Sequence, residues 1–147
     1  MKHYPNIYFL GIGGIGMSAL ARYFLHEGRK VAGYDRTETP LTRALQAEGA
    51  EVTYEDEVDA IPEVFRNPAT TMVVFTPAVP QDHPQMAFFA EGGFLMEKRS
   101  QMLGHLSEGK YVMAVAGTHG KTTTSTMIAW LNAATGVGGN AFLGGIS

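Results

Sequence analysis

Along the chain, short apolar runs alternate with stretches in which apolar residues recur every three or four positions. The runs read as strands at Ile7 to Leu10, Val31 to Tyr34, Glu51 to Tyr54, Met72 to Thr76, Phe94 to Met96 and Tyr111 to Ala116. Between the first two, Met17, Leu20, Ala21, Phe24 and Leu25 are spaced to form one apolar stripe on a helix, which Gly28 is placed to end. Thr39 is a candidate N-cap for a second helix, Pro40 sits where a first-turn proline is tolerated, and Gly49 follows the last periodic residue. Further helices are expected at Ala60 to Phe65, Pro84 to Ala90 and Ser100 to Leu106. Strands alternating with amphipathic helices predict an α/β fold, a Rossmann-like parallel sheet with helices on both faces.

The stretch "SEGK" at Ser107 to Lys110 separates the last of these helices from a new strand. It predicts two units, residues 1–108 and 109–147. The second holds a strand, a glycine loop, a helix and one more apolar segment, "NAFLGGIS", too little to cover both faces of a parallel sheet. The pattern therefore predicts the opening of a P-loop domain that the chain does not complete. In its helix Met127, Ile128 and Leu131 are expected to be core, and Trp130 to pack.

Composition narrows the class. The 147 residues are 45% hydrophobic and 17% charged, which suits a soluble globular protein with a real core. A formal charge of -3 and scattered basic residues argue against a nucleic-acid partner. There is no cysteine, which rules out disulfides and thiolate metal sites and fits a reducing, cytoplasmic setting. The start "MKHYPNIYFLGIGGIGMSALA" has the outline of a secretory signal, but glycines interrupt the apolar stretch and the helical pattern continues through Arg22 to Leu25. No segment is long and apolar enough for a transmembrane helix.

Two glycine loops carry the candidate chemistry. "FLGIGGIGMSAL" sets Gly11, Gly13 and Gly16 in G-x-G-x-x-G spacing between a strand and a helix. Such glycines permit a tight turn, approach of backbone to a diphosphate and close helix packing, while the helix N-terminus favours the anion. Asp35, 19 residues beyond Gly16, stands where a ribose-binding acid would sit, so the simple reading is NAD binding. Arg36 beside it is a candidate for phosphate or ribose, with a solvated turn charge as the alternative. Thr76 and Ala78 in "TPAVP" fall at the carboxyl end of a strand, the edge where open α/β sheets bind ligands. His83, in the same loop, is expected to be a surface histidine.

The second loop, "AGTHGKTTT", departs from the strict P-loop pattern, because Val115 stands where the first glycine would fall. Gly117, Thr118, His119 and Gly120 nonetheless form a loop between a strand and a helix. Its amides and Lys121 would hold ATP phosphates, with hydroxyls at Thr122 and Thr123, the former suited to Mg²⁺.

"GIGGIGMSALA" together with "AVAGTHGKTTTSTMIA" closely resembles the Mur ligase family of peptidoglycan synthesis, and the resemblance includes "TPAVP", "KRSQML" and "NAFLGGIS" in the expected order. The resemblance covers nearly the whole chain and makes the departure at Val115 a family variant. It implies an ATP- and Mg²⁺-dependent amide-bond ligase acting on UDP-N-acetylmuramate, with L-alanine as the nearest expectation for the incoming amine. A murein tripeptide in a recycling reaction is the alternative. The first loop, including Gly14, Ile15 and Met17, then becomes a UDP-sugar site and not an NAD site. Arg99 aligns with a segment beside the sugar nucleotide, and a surface salt bridge is its alternative. Lys121 would act catalytically on the transferring phosphoryl group. Gly144 and Gly145 would line the approach to the sugar, while the remaining metal and substrate ligands would lie beyond Ser147. On this reading residues 1–147 bind the UDP-sugar without turning over.

Overall fold

The computed structural model describes residues His3 to Leu143. Five parallel strands form one sheet: β1 (Asn6–Leu10), β2 (Lys30–Tyr34), β3 (Glu51–Thr53), β4 (Thr71–Phe75) and β5 (Leu95–Lys98). Their order in space is β3-β2-β1-β4-β5, so the chain winds outward from β1 to one edge and then restarts beside β1 toward the other. That reversal opens a crevice at the carboxyl ends of β1 and β4, where a doubly wound sheet receives its ligand.

β1 is the central strand, and all five of its residues are buried. Because side chains alternate across a strand, Ile7 and Phe9 face one layer and Tyr8 and Leu10 the other. On the first side, α1 (Ile15–His26), α2 (Pro40–Ala47) and α4 (Arg99–Ser107) cover the sheet, with Leu20, Phe24, Leu45 and Met102 fully buried. On the second side lie α3 (Pro84–Glu91) and two short 3-10 turns, where Phe65 and Phe89 pack edge-on or tilted against Tyr8. Each such aromatic contributes about 1.5–3 kcal/mol on burial. Tyr8 keeps its hydroxyl satisfied by donating to Gln85 at 2.8 Å, and burial raises its pKa. Gln85 in turn donates to the carbonyls of Glu55 and Glu57, tying α3 to the segment after β3.

Local chemistry fixes the helix starts. Thr39 caps α2 in a reciprocal box, its Oγ1 accepting from the Thr42 amide at 3.2 Å while Thr42 Oγ1 accepts from the Thr39 amide at 2.9 Å. Pro40 occupies the first turn as expected.

Three expectations fail. Ala60 to Phe65 is not a helix but two 3-10 turns, Val58–Ala60 and Glu63–Phe65. Pro62 is the cause, since the residue before a proline is driven out of the helical region, and Ile61 is extended at ψ 121°. The Arg66 guanidinium holds the pair together by donating to the carbonyls of Ile61, Asp59 and Val58. Tyr111 to Ala116 is not a strand among the described residues: it pairs with no neighbour, and Tyr111 is 92% exposed. An apolar run becomes a strand only when a partner takes its amides and carbonyls. The helix that follows, α5 (Lys121–Ala134), forms as predicted but buries none of its residues: Met127 and Leu131 are exposed and Ile128 half-buried instead of core, and Trp130, expected to pack, is exposed.

Candidate nucleotide-binding site

The first glycine loop is built by contacts from four strand ends. After Leu10 the amides of Gly11 and Ile12 both donate to the Tyr34 carbonyl, at 2.8 and 3.0 Å, which turns the chain sharply out of the sheet. Gly11 has φ +90°, and the Thr76 methyl presses against it where any side chain would stand. Gly13 donates its amide to Asp35 Oδ2 at 2.7 Å, and a methyl there would come within 2.8 Å of both Asp35 and Thr42. The other Asp35 oxygen accepts from the Thr37 amide at 3.2 Å. This acid therefore braces the loop.

α1 then begins at Ile15 with Gly14 as N-cap and no side chain capping it. The first bond within the helix runs from the Ser18 amide to the Gly14 carbonyl at 2.8 Å. The amides of Ile15, Gly16 and Met17 are thus left at the positive end of the helix dipole for an outside acceptor. Arg99, the first residue of α4, reaches this point from the end of β5: a methyl at Gly16 would lie 2.6 Å from its Nη1. Gly16 is small because a guanidinium lies over it, a reason different from the helix packing expected from the motif. Uncapped amides and an arginine at one place suit a diphosphate.

Thr76 and Ala78 lie in the loop after β4, where the Ala78 amide donates to Thr76 Oγ1 at 3.4 Å. Thr76 touches the first loop and Ala78 is exposed beside it. Arg36 is exposed after β2. Sequence reasoning misplaced His83. It is 8% exposed, its ring lies 4.4 Å from that of Tyr34, and its Nδ1 accepts from the Gln85 amide to cap α3. Burial lowers its pKa, with Asp56 and Asp82 opposing, and its Nε2 is buried without a partner. The Tyr34 pKa is raised, first by burial and then by Asp56 and Asp35. The signal for His83 lay in the following Pro84: a residue directly before a first-turn proline is at an N-cap.

The second loop is more open. Gly120 is the N-cap of α5 at φ +77°, with no side-chain cap, and the first helical bond runs from the Thr124 amide to its carbonyl at 3.0 Å. Lys121 curls back so that Nζ donates to the Gly117 carbonyl across the loop. Thr118, His119 and Thr123 are exposed and Thr122 is half-buried. Amides of Lys121, Thr122 and Thr123 remain for a phosphate, so the loop fits the nucleotide. For Mg²⁺ it offers hydroxyls, that of Thr122 among them, and among the described residues no group of three or more histidines and carboxylates could hold a metal. No hydrogen bond or ion pair joins the two loops among the described residues. Gly144 and Gly145 lie outside those residues.

A doubly wound sheet with an arginine over an uncapped glycine-loop helix, followed by a second glycine loop with its lysine, defines an α/β protein with two candidate phosphate loops. A family model described as Mur ligase family, catalytic domain, matches residues 6–111. The chain belongs to the Mur ligase family. It is 58% identical over 142 residues to the UDP-N-acetylmuramate--L-alanine ligase of Phocaeicola vulgatus, covering 97% of this chain and 31% of that protein. To the protein of the same name from Christiangramia forsetii it is 53% identical, covering 100% and 33%. Among solved structures it superposes on UDP-N-acetylmuramate-alanine ligase from Thermotoga maritima with TM-score 0.85 at 34% identity, over 97% of this chain and 32% of that one. A UDP-N-acetylmuramate:L-alanyl-gamma-D-glutamyl-meso-diaminopimelate ligase from Neisseria gives TM-score 0.84 at 27% identity, over 98% and 44%. The chain spans about a third of the length of the curated relatives it matches.

Proposed function

We propose that residues 1–108 hold the UDP-sugar, and that residues 109–147 begin the ATP site, of a ligase joining L-alanine to the carboxylate of UDP-N-acetylmuramate in peptidoglycan synthesis. The observation that carries this reading is the Arg99 guanidinium lying over Gly16 at the uncapped start of α1. It supplies a positive partner for a diphosphate, and Asp35, which braces the loop through the Gly13 amide, borders the same place as part of the UDP-sugar site.

In this assignment Ile15, Gly16 and Met17 donate amides to the diphosphate, with Gly11, Gly13 and Gly14 shaping the turn. Arg99 neutralises the diphosphate, while Thr76, Ala78 and Arg36 border the remaining nucleotide. Gly117 to Gly120 present amides to the ATP phosphates. Lys121 leaves the Gly117 carbonyl to follow charge on the γ-phosphoryl group as it passes to the sugar's carboxylate, and the amine then displaces phosphate from that activated acyl group. Bound Mg²⁺ would further offset phosphate charge, and Thr122 would be this chain's ligand to it. A reaction that uses ATP and a UDP-sugar is expected in the cytoplasm.

The relatives at 58% and 53% identity favour L-alanine over a tripeptide as the amine. The test is phosphate release from ATP by the full-length protein with UDP-N-acetylmuramate. Release dependent on L-alanine supports the proposal; release with tripeptide alone assigns the recycling reaction, and no release with either contradicts both.

A further inference from the structure

Tyr23 stands on the outer side of α1, half-buried, and two separate parts of the second unit meet on it. Lys110 donates from Nζ to the Tyr23 hydroxyl at 3.3 Å and lies 5.5 Å from its ring centroid. Phe142 brings its ring to 6.0 Å from the same ring at 57° and packs against the core beneath α1. Lys110 immediately precedes the segment that leads into the second glycine loop, and Phe142 follows α5 on the far side of it. The entry and the exit of the loop-bearing segment are therefore fastened to one side chain.

Other contacts do not explain this arrangement. α5 buries no residue, so it does not hold the segment by a core of its own. Residues Asn140 to Leu143 line a cleft of about 690 Å³ together with Ser18, Arg22 and Leu41 of the helix pair. Arg22, next to Tyr23, is held by a bidentate pair with Glu48, the residue just after α2, at 2.9–3.1 Å, which keeps this part of α1 fixed against its neighbour.

We propose that Tyr23 is the anchor that sets the GTHGKTTT segment on the outer face of α1. The helix whose first turn presents the diphosphate amides then also carries the second phosphate loop. Tyr23 is seven residues from Gly16, about 10 Å along a rigid helix, so it is a positioning residue that touches neither nucleotide.

Trp130 is the single tryptophan of the chain, it lies on α5, and it is 68% exposed, so its emission reports motion of the second unit. Time-resolved fluorescence anisotropy of this chain should show Trp130 tumbling mainly with the whole molecule. In Tyr23→Ala a nanosecond segmental component should appear with at least twice the wild-type amplitude. Tyr23→Phe, which keeps the ring against Phe142, should stay close to wild type. Should Tyr23→Ala fail to fold, Phe142→Ala removes the facing ring from the other side and should produce the same component. An unchanged decay in the folded variant overturns the proposal. In the full-length protein, Tyr23→Ala should lower kcat several-fold while the Kd for UDP-N-acetylmuramate is unchanged. Equal loss of that affinity would make Tyr23 a packing residue of the sheet unit and also overturn it.

Discussion

The two glycine loops use the same chemistry, amides at the start of a helix plus a basic side chain, yet they are held in different ways. In the first, Gly13 is bonded to Asp35, Gly11 is pressed by Thr76, and Gly16 is covered by Arg99, so residues from after β2, β4 and β5 fix its shape. In the second, the brace is local: Lys121 bonds back to Gly117, and the helix behind the loop is exposed. A loop held by distant parts of a fold is preorganised and loses little entropy on binding, whereas a locally held one depends on what packs around it. The difference suits a division of labour in which the first loop binds tightly before the second performs chemistry.

Removing the basic group from the second loop should have the largest effect. Lys121→Ala in the full-length protein is expected to lower kcat by about 10²–10³-fold, the range for losing one preorganised charge partner in a transition state. UDP-N-acetylmuramate affinity should hold, because the first loop does not depend on Lys121. Steady-state kinetics with a parallel binding titration would check this; unchanged turnover rejects the role given to Lys121.

The bracing of the first loop can be broken at Asp35. Asp35→Ala leaves the Gly13 amide without its acceptor and should cost about 1–3 kcal/mol in urea unfolding. A loss of sugar-nucleotide affinity should accompany it. Asp35→Asn keeps an acceptor and should fall between. If Asp35→Ala retains both stability and affinity, the loop is not held in the way described.

The smallest effect expected is the pH response of His83. Burial depresses its pKa below the ordinary value of 6.5, so the unfolded chain takes up this proton first. Its contribution to stability is complete above about pH 6.5 and declines as pH falls below it. His83→Asn keeps an acceptor for the Gln85 amide and removes the titration. The wild-type urea midpoint should therefore fall more steeply than that of the variant between neutral and mildly acidic pH. His105, whose pKa is raised by its hydrogen bond to Glu108, acts with the opposite sign; it is present in both proteins and cancels in the difference.

Much of this arrangement was legible in the sequence because it is encoded locally. The stripe through Leu20 and Phe24, the Thr39 cap with Pro40, and both glycine loops depend on residues close together in the chain, and all of them appear. The strand limits shift by a residue or so, as at Thr76 and Lys98, where hydrogen-bond partners decide the ends. What spacing alone misread depends on tertiary neighbours. For Asp35 the spacing did not show the bond that one of its oxygens accepts from the Gly13 amide. His83 was read as exposed and is sealed beneath Tyr34. Tyr111 to Ala116 has the composition of a strand and finds no partner among the described residues. Pro62 is the exception, a local signal that should have broken the predicted helix. Family likeness, and not periodicity, pointed to Arg99, which in the fold lies over the third glycine of the first motif.

The central claim is that this first loop is a UDP-sugar site whose amides act with Arg99. Isothermal titration of the chain with UDP-N-acetylmuramate and, separately, with NAD tests it most directly. Binding of the UDP-sugar, no binding of NAD, and an affinity about 10- to 100-fold weaker in Arg99→Ala are expected, as for the loss of one charge-assisted hydrogen bond. Binding of NAD alone, or UDP-sugar binding indifferent to Arg99, would contradict it.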